Sequence, residues 1–141
     1  MKKDIYSNLL GTFLKNGKKA KAKKLLDKSL SILSNKTGIS SLQILLLLYK
    51  RLNVFMEAKT LRVRRRTHIV PFSTSLNRRF HLVSKWLMAA VLKNKKRISI
   101  SEKLSEEILL ICKKHPSKSM EMRNLNNGNA LRFRSNLHFR W

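Results

Sequence analysis

One segment of this chain is apolar on nearly every side. It reads LQILLLLYKRL over residues 42–52, directly after Ser40 and Ser41. Serine is a preferred residue at the start of a helix, and a helix that is apolar most of the way round has to be buried. The sequence therefore predicts a central helix from residue 40 or 41 to about Leu52, with the rest of the chain packed around it.

Apolar residues at helical spacing predict four more helices around this one. The first ends at Asn16-Gly17, where glycine supplies the positive φ that the end of a helix often needs. The last of the four begins at a capping box, in which Ser99 and Glu102 satisfy each other's amides. The predicted ranges are 4–15, about 18–34, from the Ser73-Thr74-Ser75 cluster to near Lys93, and from Ser99 to His115-Pro116.

The stretch from Met56 to Phe72 is the only strand candidate. Strand-forming residues occur in Leu61-Arg62-Val63 and again at 67–70, but their alternation is imperfect. Arg64-Arg65 is also a poor turn compared with Asn-Gly. These residues alone leave open whether a two-stranded hairpin forms. Residues 117–141 are basic and poor in aliphatic side chains, and we expect a helix or ordered tail there in contact with a partner.

The charge of the chain identifies the kind of partner. Its 141 residues include 32 Lys plus Arg against 7 Asp plus Glu, a formal charge of +25. Self-repulsion of this size destabilises a compact fold unless an anion neutralises it. Nucleic acid is the leading candidate, because phosphate contacts release counterions, and an anionic membrane surface is the weaker one. Aromatic residues among the cations favour RNA over duplex DNA. They are Phe72, Phe80, His81, Trp86, Phe133, Phe139 and Trp141.

Other classes of function lack the residues they need. The acids are scattered rather than arranged for metal-assisted cleavage, and the four histidines are too far apart for a metal pattern. The single cysteine, Cys112, is typical of a core residue, and no glycine-rich phosphate loop or membrane-spanning run is present. We therefore expect no catalytic residue, no metal or other cofactor, and no membrane partner. The N-terminus does not read as a signal or transit peptide, so we expect the protein to act where it is made.

Three blocks of the sequence resemble the small-subunit ribosomal protein seven family of bacteria and organelles. The first is FLKNGKK at 13–19, where the family has a helix ending in a Gly-Lys-Lys turn. The third is His-Phe-Arg-Trp at 138–141, which is similar to the family's ending. The second and most specific block places the family's pattern without gaps on Glu57, Lys59, Arg62-Val63, Thr67, Val70-Pro71, Arg78-Arg79 and Trp86.

The resemblance implies a mainly α fold, with residues 1–141 as a single domain of about six helices. A protruding β-hairpin arm at 56–72 would lie between the third and fourth helices, and 117–141 would be the basic C-terminal helix or tail. Family members bind the 3′ major domain of small-subunit rRNA, nucleate assembly of the head and contact neighbouring head and platform proteins. The implied rRNA-binding residues are Lys18, Lys19, Lys59, Arg62, Arg78, Arg79, Arg123 and Arg140.

The resemblance also implies that the arm and the C-terminal region line the exit-site path of tRNA and mRNA. Arg64, Arg65 and Arg66 would lie on that side, because Arg64-Arg65 replaces the Gly-Gly of the family's hairpin tip. The tail departs from the family as well, with Gly128 inside the expected last helix and Asn136 where the family favours an aromatic residue. The short, Lys/Asn/Leu-rich sequence resembles a copy encoded and used in a mitochondrion. A plastid or bacterial cytoplasmic ribosome is the alternative.

Two other functions stay open at the level of sequence. A nucleoid-type or regulatory DNA-binding helical protein would carry the same charge, and its co-purified nucleic acid would be DNA without rRNA. An RNA-processing enzyme is the third possibility, and the lack of a carboxylate or histidine site argues against it.

Overall fold

A computed structural model describes residues 2–140 and shows six α-helices with an antiparallel hairpin between the third and the fourth. The mainly α fold with a hairpin arm is therefore confirmed. The elements of the described residues are α1 (Lys2–Phe13), α2 (Lys19–Thr37), α3 (Ser41–Leu52), β1 (Met56–Val63), β2 (Arg66–Ser73), α4 (Leu76–Lys93), α5 (Ile100–Cys112), α6 (Lys118–Arg132) and a terminal 3-10 helix (Arg134–Phe139).

Helix α3 is the centre of the core. It contacts each of the other five α-helices, and Leu48 and Leu52 are both 0% exposed. Tyr49 on the same helix packs its ring against Phe80 of α4, with 4.6 Å between the centroids. The prediction of a central buried helix is confirmed, and its observed start at Ser41 agrees with the predicted start at residue 40 or 41, although the Ser40 side chain makes no capping hydrogen bond.

Residues next to the helix termini explain where α1 ends and where α5 begins. Asn16 and Gly17 have φ of 53° and 70°, so the chain turns in the left-handed region between α1 and α2. Because this turn starts early, α1 ends at Phe13 rather than at residue 15. The capping box predicted for α5 is present, with Glu102 N donating to Ser99 Oγ and Ser99 N donating to Glu102 Oε2, both at 3.3 Å.

Helix α6 is held by contacts within the chain. Ser117 caps it by accepting from the amide of Met120. The buried carboxylate of Glu107, on α5, accepts from the amide of Ser119 at 3.0 Å and from its hydroxyl at 2.6 Å. A negative charge at the start of a helix also interacts favourably with the helix dipole. Our sequence expectation tied this segment to a partner, and the structure shows that α5 already supplies part of that support.

Candidate nucleic-acid interface

The predicted arm is an antiparallel hairpin with eight paired positions on each strand. The pairing runs from Met56 opposite Ser73 to Val63 opposite Arg66, which leaves Arg64-Arg65 as a two-residue turn. Arg64 has φ 55°, a left-handed conformation that glycine adopts with less strain. The turn that was unfavourable by composition therefore forms, with an arginine in the position where the family has glycine.

A buried acid joins the base of the arm to α4. Glu57, 8% exposed, accepts from Arg78 Nε at 2.9 Å and from Arg78 Nη2 at 2.6 Å. Lys59 Nζ lies 3.8 Å from Glu57 Oε2. The hydrogen bonds from Arg78 hold the pKa of Glu57 below its usual value, although burial opposes them. The predicted rRNA-binding residue Arg78 is therefore engaged first with its own chain.

Arg79 is also partly engaged, and it reveals a residue that the sequence reasoning missed. Its Nε donates to the carbonyl of Thr74 at 3.0 Å, and its guanidinium carbon lies 4.4 Å from the centroid of the Phe55 ring. Phe55 is 66% exposed. An aromatic ring with an arginine on its face is a common element of RNA-binding surfaces, but an aromatic residue next to a buried valine gives no sign of its exposure in sequence.

The two arginines predicted in the C-terminal region contact the chain itself. Arg123 Nη1 donates to the carbonyl of Arg51 at 2.7 Å, near the end of α3. Arg140 Nη2 donates to Ser73 Oγ at 2.7 Å, and its guanidinium lies 5.8 Å from the centroid of the Phe72 ring. These contacts fix α6 against α3 and the last residues against the arm.

The remaining predicted cations are free to meet an external anion. Their side chains are exposed, and within the described residues no ion pair engages them. They are Lys18, Lys19, Arg62, Arg64, Arg65 and Arg66.

Lys18 lines a groove with Met88 and Leu92 of α4, whereas Arg79 lies at the start of that helix. At 1.5 Å per residue, these ends of α4 are about 20 Å apart. The predicted residues thus form two separate cationic regions.

The tip of the arm forms an open groove with the end of the chain. Val63, the three tip arginines, His68 and Phe139 line a space of about 690 Å³. The rings of His68 and Phe139 stack, with 4.3 Å between centroids and 28° between planes. Asn136 holds the terminal segment there, because its Nδ2 donates to the carbonyl of Ile69 at 2.9 Å. Trp141, part of the predicted aromatic set, lies outside the described residues.

Few acids of the described structure neutralise cations. Glu57 and Glu106 form the salt bridges among the described side chains, and they engage Arg78, Lys59 and Lys96. Two other acids serve helix starts: Glu102 in the capping box of α5 and Glu107 at α6. Asp27 accepts from the hydroxyl of Tyr6. Most Lys and Arg side chains of the described structure therefore have no acidic partner within it and are available to an external anion.

The described residues contain no group of three or more His, Cys, Asp or Glu that could hold a metal ion. Cys112 is half-buried, and burial raises the pKa of its thiol although Arg51 opposes this. A raised pKa disfavours the reactive thiolate. Over residues 2–140, no helix has the length and apolar content to cross a membrane.

Comparison with known proteins agrees with this picture. The family model described as Ribosomal protein S7p/S5e matches residues 1–130. The small ribosomal subunit protein uS7 of Sulfurihydrogenibium sp. is 31% identical over 107 residues, 74% of this chain and 67% of its own length. The protein of the same name from Kosmotoga olearia is 29% identical over 105 residues, with the same coverage. That of Thermodesulfovibrio yellowstonii is 26% identical over 137 residues, 97% of this chain and 86% of its own length.

Proposed function

Because this chain belongs to the Ribosomal protein S7p/S5e family and is a structural constituent of the small ribosomal subunit, we propose that its exposed cations hold the 3′ major domain of the small-subunit rRNA and organise the head. The role is structural rather than catalytic. The observation that supports it best is the set of exposed cations without acidic partners. Phosphates supply the missing negative charge, and each neutralised phosphate releases counterions.

The predicted rRNA-binding residues divide into two groups by their surroundings. Lys18, Lys19 and Arg62 are exposed without an acidic partner among the described side chains, and Lys59 is exposed with its ammonium 3.8 Å from Glu57; we assign all four direct contacts with phosphate. The arginines at 78, 79, 123 and 140 each hold part of their own chain, and we assign them mainly the positioning of the arm, α6 and the terminal segment. Arg78 and Arg79 are half-buried, so each can also present an edge to RNA.

The salt dependence of RNA affinity tests the residues assigned to phosphate. Replacing both Lys18 and Lys19 with alanine should reduce the slope of log affinity against log salt by about 1.4 to 1.8, because each phosphate contact contributes about 0.7 to 0.9. The probe is a transcript of the 3′ major domain, and Lys18→Arg with Lys19→Arg is the matched control because it keeps both charges. An unchanged slope in the alanine variant would remove these lysines from the interface. If the wild-type protein itself neither binds this transcript nor sediments with small subunits, the proposed function is wrong.

The arm tip is proposed to lie on the tRNA and mRNA side of the exit site. Three arginines and the stacked His68 and Phe139 rings line one open groove there, which suits phosphate and an adjoining base. Replacing Arg64 and Arg65 with glycine should leave the protein in assembled subunits but weaken tRNA retention at the exit site. Loss of the variant from the particle would instead assign these arginines to rRNA anchoring.

Contact with neighbouring proteins is proposed at the opposite end of α4. A groove of about 620 Å³ lies there, and Leu92 and Ile100 on its walls are 67% and 47% exposed. Lys15 and Lys21 line the same groove. Aliphatic walls beside ammonium groups fit a segment of a neighbouring head protein that carries apolar side chains next to carboxylates. Leu92→Ser adds no charge beside Lys18 and should leave rRNA binding intact, but it should reduce the amount of one neighbouring protein in isolated heads; unchanged protein composition would contradict this.

The ribosome that uses this protein is proposed to be mitochondrial. The support is the Lys/Asn/Leu-rich composition and the departures from the bacterial pattern at Arg64-Arg65 and Asn136. The relatives reported above are bacterial, so a bacterial ribosome is the alternative. Fractionation of cells that contain the protein decides between them: co-sedimentation with mitochondrial small subunits supports the proposal, and its presence only in another compartment overturns it.

A further inference from the structure

The base of the arm carries an exposed aromatic ring, Phe55, to which no RNA or protein contact has yet been assigned. Phe55 is 66% exposed, although it lies between the buried Val54 and the start of β1. Its backbone is fixed, because the amide of Thr74 donates to its carbonyl at 2.9 Å, and the Thr74 hydroxyl lies 3.0 Å from the carbonyls of both Val54 and Phe55. The Phe55 backbone is therefore held at the junction between the arm and α4, and the ring extends from it into solvent.

One face of this ring is already covered by a cation. The guanidinium of Arg79 lies 4.4 Å from the ring centroid, and its Nε is held by the carbonyl of Thr74 at 3.0 Å. This geometry holds the arginine on the ring through a hydrogen bond to the neighbouring backbone. With one face covered and two-thirds of the side chain exposed, the other face of the ring is open to a flat partner.

We propose that Phe55, backed by Arg79, is a stacking platform for one unpaired base of the small-subunit rRNA. The proposal rests on rRNA binding by this protein and adds the class of nucleotide recognised at this position. A base has a π-face that stacks on an aromatic ring whatever its identity, and an arginine adds cation–π attraction. The acid at this junction, Glu57, is buried and occupied by Arg78, so it does not repel a nearby phosphate from the surface.

The surroundings favour a base over an apolar protein segment. An aromatic residue that anchors a protein interface is enclosed by apolar neighbours, whereas this ring is covered by a guanidinium. A second cation–aromatic group lies on β2, where Phe72 pairs with Glu57: Lys59 and Arg140 lie 5.5 and 5.8 Å from the Phe72 ring centroid. Cations alternating with rings are typical of surfaces that bind single-stranded RNA.

The test compares Phe55→Leu, Phe55→Tyr and wild type for binding to a transcript of the 3′ major domain over a series of salt concentrations. Loss of one stacked base should weaken the affinity of Phe55→Leu about 5- to 150-fold. The salt slope should stay unchanged, since no phosphate contact is lost. Phe55→Tyr keeps a stacking ring and should bind like wild type. Leu131→Ala removes a similarly exposed apolar side chain on α6, where no contact with RNA or protein is assigned, and serves as the matched control.

Chemical probing of the bound transcript locates the partner. One unpaired base should be protected by wild type and by Phe55→Tyr, and should become reactive with Phe55→Leu. Equal affinity of Phe55→Leu and wild type overturns the platform while leaving the proposed rRNA binding intact. Normal rRNA binding by Phe55→Leu with loss of a neighbouring protein from the head would assign the ring to a protein interface, which also overturns it. Equal thermal unfolding of the three proteins shows that the fold is unchanged.

Discussion

Replacing Arg78 with methionine removes both hydrogen bonds that Glu57 receives from a guanidinium, at 2.9 and 2.6 Å, and keeps an unbranched side chain in their place. Glu57 is only 8% exposed, so its charge is left with Lys59 at 3.8 Å as the nearest described cation. The junction between the arm and α4 then carries a poorly compensated buried carboxylate.

The expected cost lies between two limits. Removing one partner of a fully buried ion pair costs about 3 to 5 kcal/mol, whereas an exposed pair contributes about 0 to 1 kcal/mol. The Arg78 side chain is 41% exposed, so water screens the pair from one side. We therefore expect Arg78→Met to lower the free energy of unfolding by about 1 to 2 kcal/mol.

The sign of the pH dependence follows from Glu57. The hydrogen bonds from Arg78 hold its pKa below the usual value, with the charges of Arg78, Lys59 and Lys85 acting in the same direction and burial opposing them. A depressed carboxyl pKa stabilises the fold above the pKa of the unfolded chain, about 4.3. That stabilisation is lost as the pH falls through the lower pKa of the folded protein.

The assay is a double-mutant cycle of wild type, Glu57→Gln, Arg78→Met and the double variant, followed by urea unfolding. The coupling free energy should be about 1 to 2 kcal/mol at neutral pH and should fall toward zero in acid, below the folded pKa of Glu57. Glu106→Gln with Lys96→Met breaks a more exposed pair and should show weaker coupling. A coupling near zero at neutral pH, or one that persists unchanged in acid, would refute the assignment of this pair as the attachment of the arm.

Three further outcomes are expected. Arg64→Gly relieves the left-handed strain at φ 55° and should be more stable than Arg65→Gly by about 1 kcal/mol in urea unfolding, since Arg65 has no positive φ to relieve; equal stabilities would contradict the turn geometry. Glu107→Gln removes the charge that accepts from Ser119 and should cost about 1 to 2 kcal/mol, seen as faster hydrogen exchange in α6; unchanged exchange would rule out this support. Asn126→Ala leaves the amide of Ala58 and the carbonyl of Met56 without their partner and should cost about 1 to 3 kcal/mol, with faster proteolysis of the tail as the readout; a tail cleaved at the wild-type rate would contradict it.

The parts of the fold that depend on neighbours in sequence were predicted well. Helices α3 and α4 begin directly after the serines at 40 and 75, and α5 begins at the Ser99–Glu102 box, whose hydrogen bonds act within one turn of helix. The hairpin could not be predicted from local residues alone, because Arg64-Arg65 is a poor turn. Its prediction came from the family resemblance. Its strands then pair from residue 56 to 73, close to the predicted 56–72.

The parts that depend on distant partners were not visible in the sequence. Arg78 meets Glu57 across 21 positions, and Arg123 meets the carbonyl of Arg51 across 72. A residue pattern shows that such an arginine is basic but not that it turns inward. The exposure of Phe55 was missed for the same reason, since it depends on how the arm leaves the core.

The two asparagines that touch the arm have a consequence for the protein before it meets RNA. A two-stranded ribbon has two open edges, and open strand edges can pair with other chains and aggregate. On the β1 edge, the Asn126 amide donates to the carbonyl of Met56 and accepts from the amide of Ala58, as a third strand would. On the β2 edge, Asn136 donates to the carbonyl of Ile69. The C-terminal segment thus fills part of each open edge, which leaves fewer unpaired backbone groups on the arm for a second chain to bind.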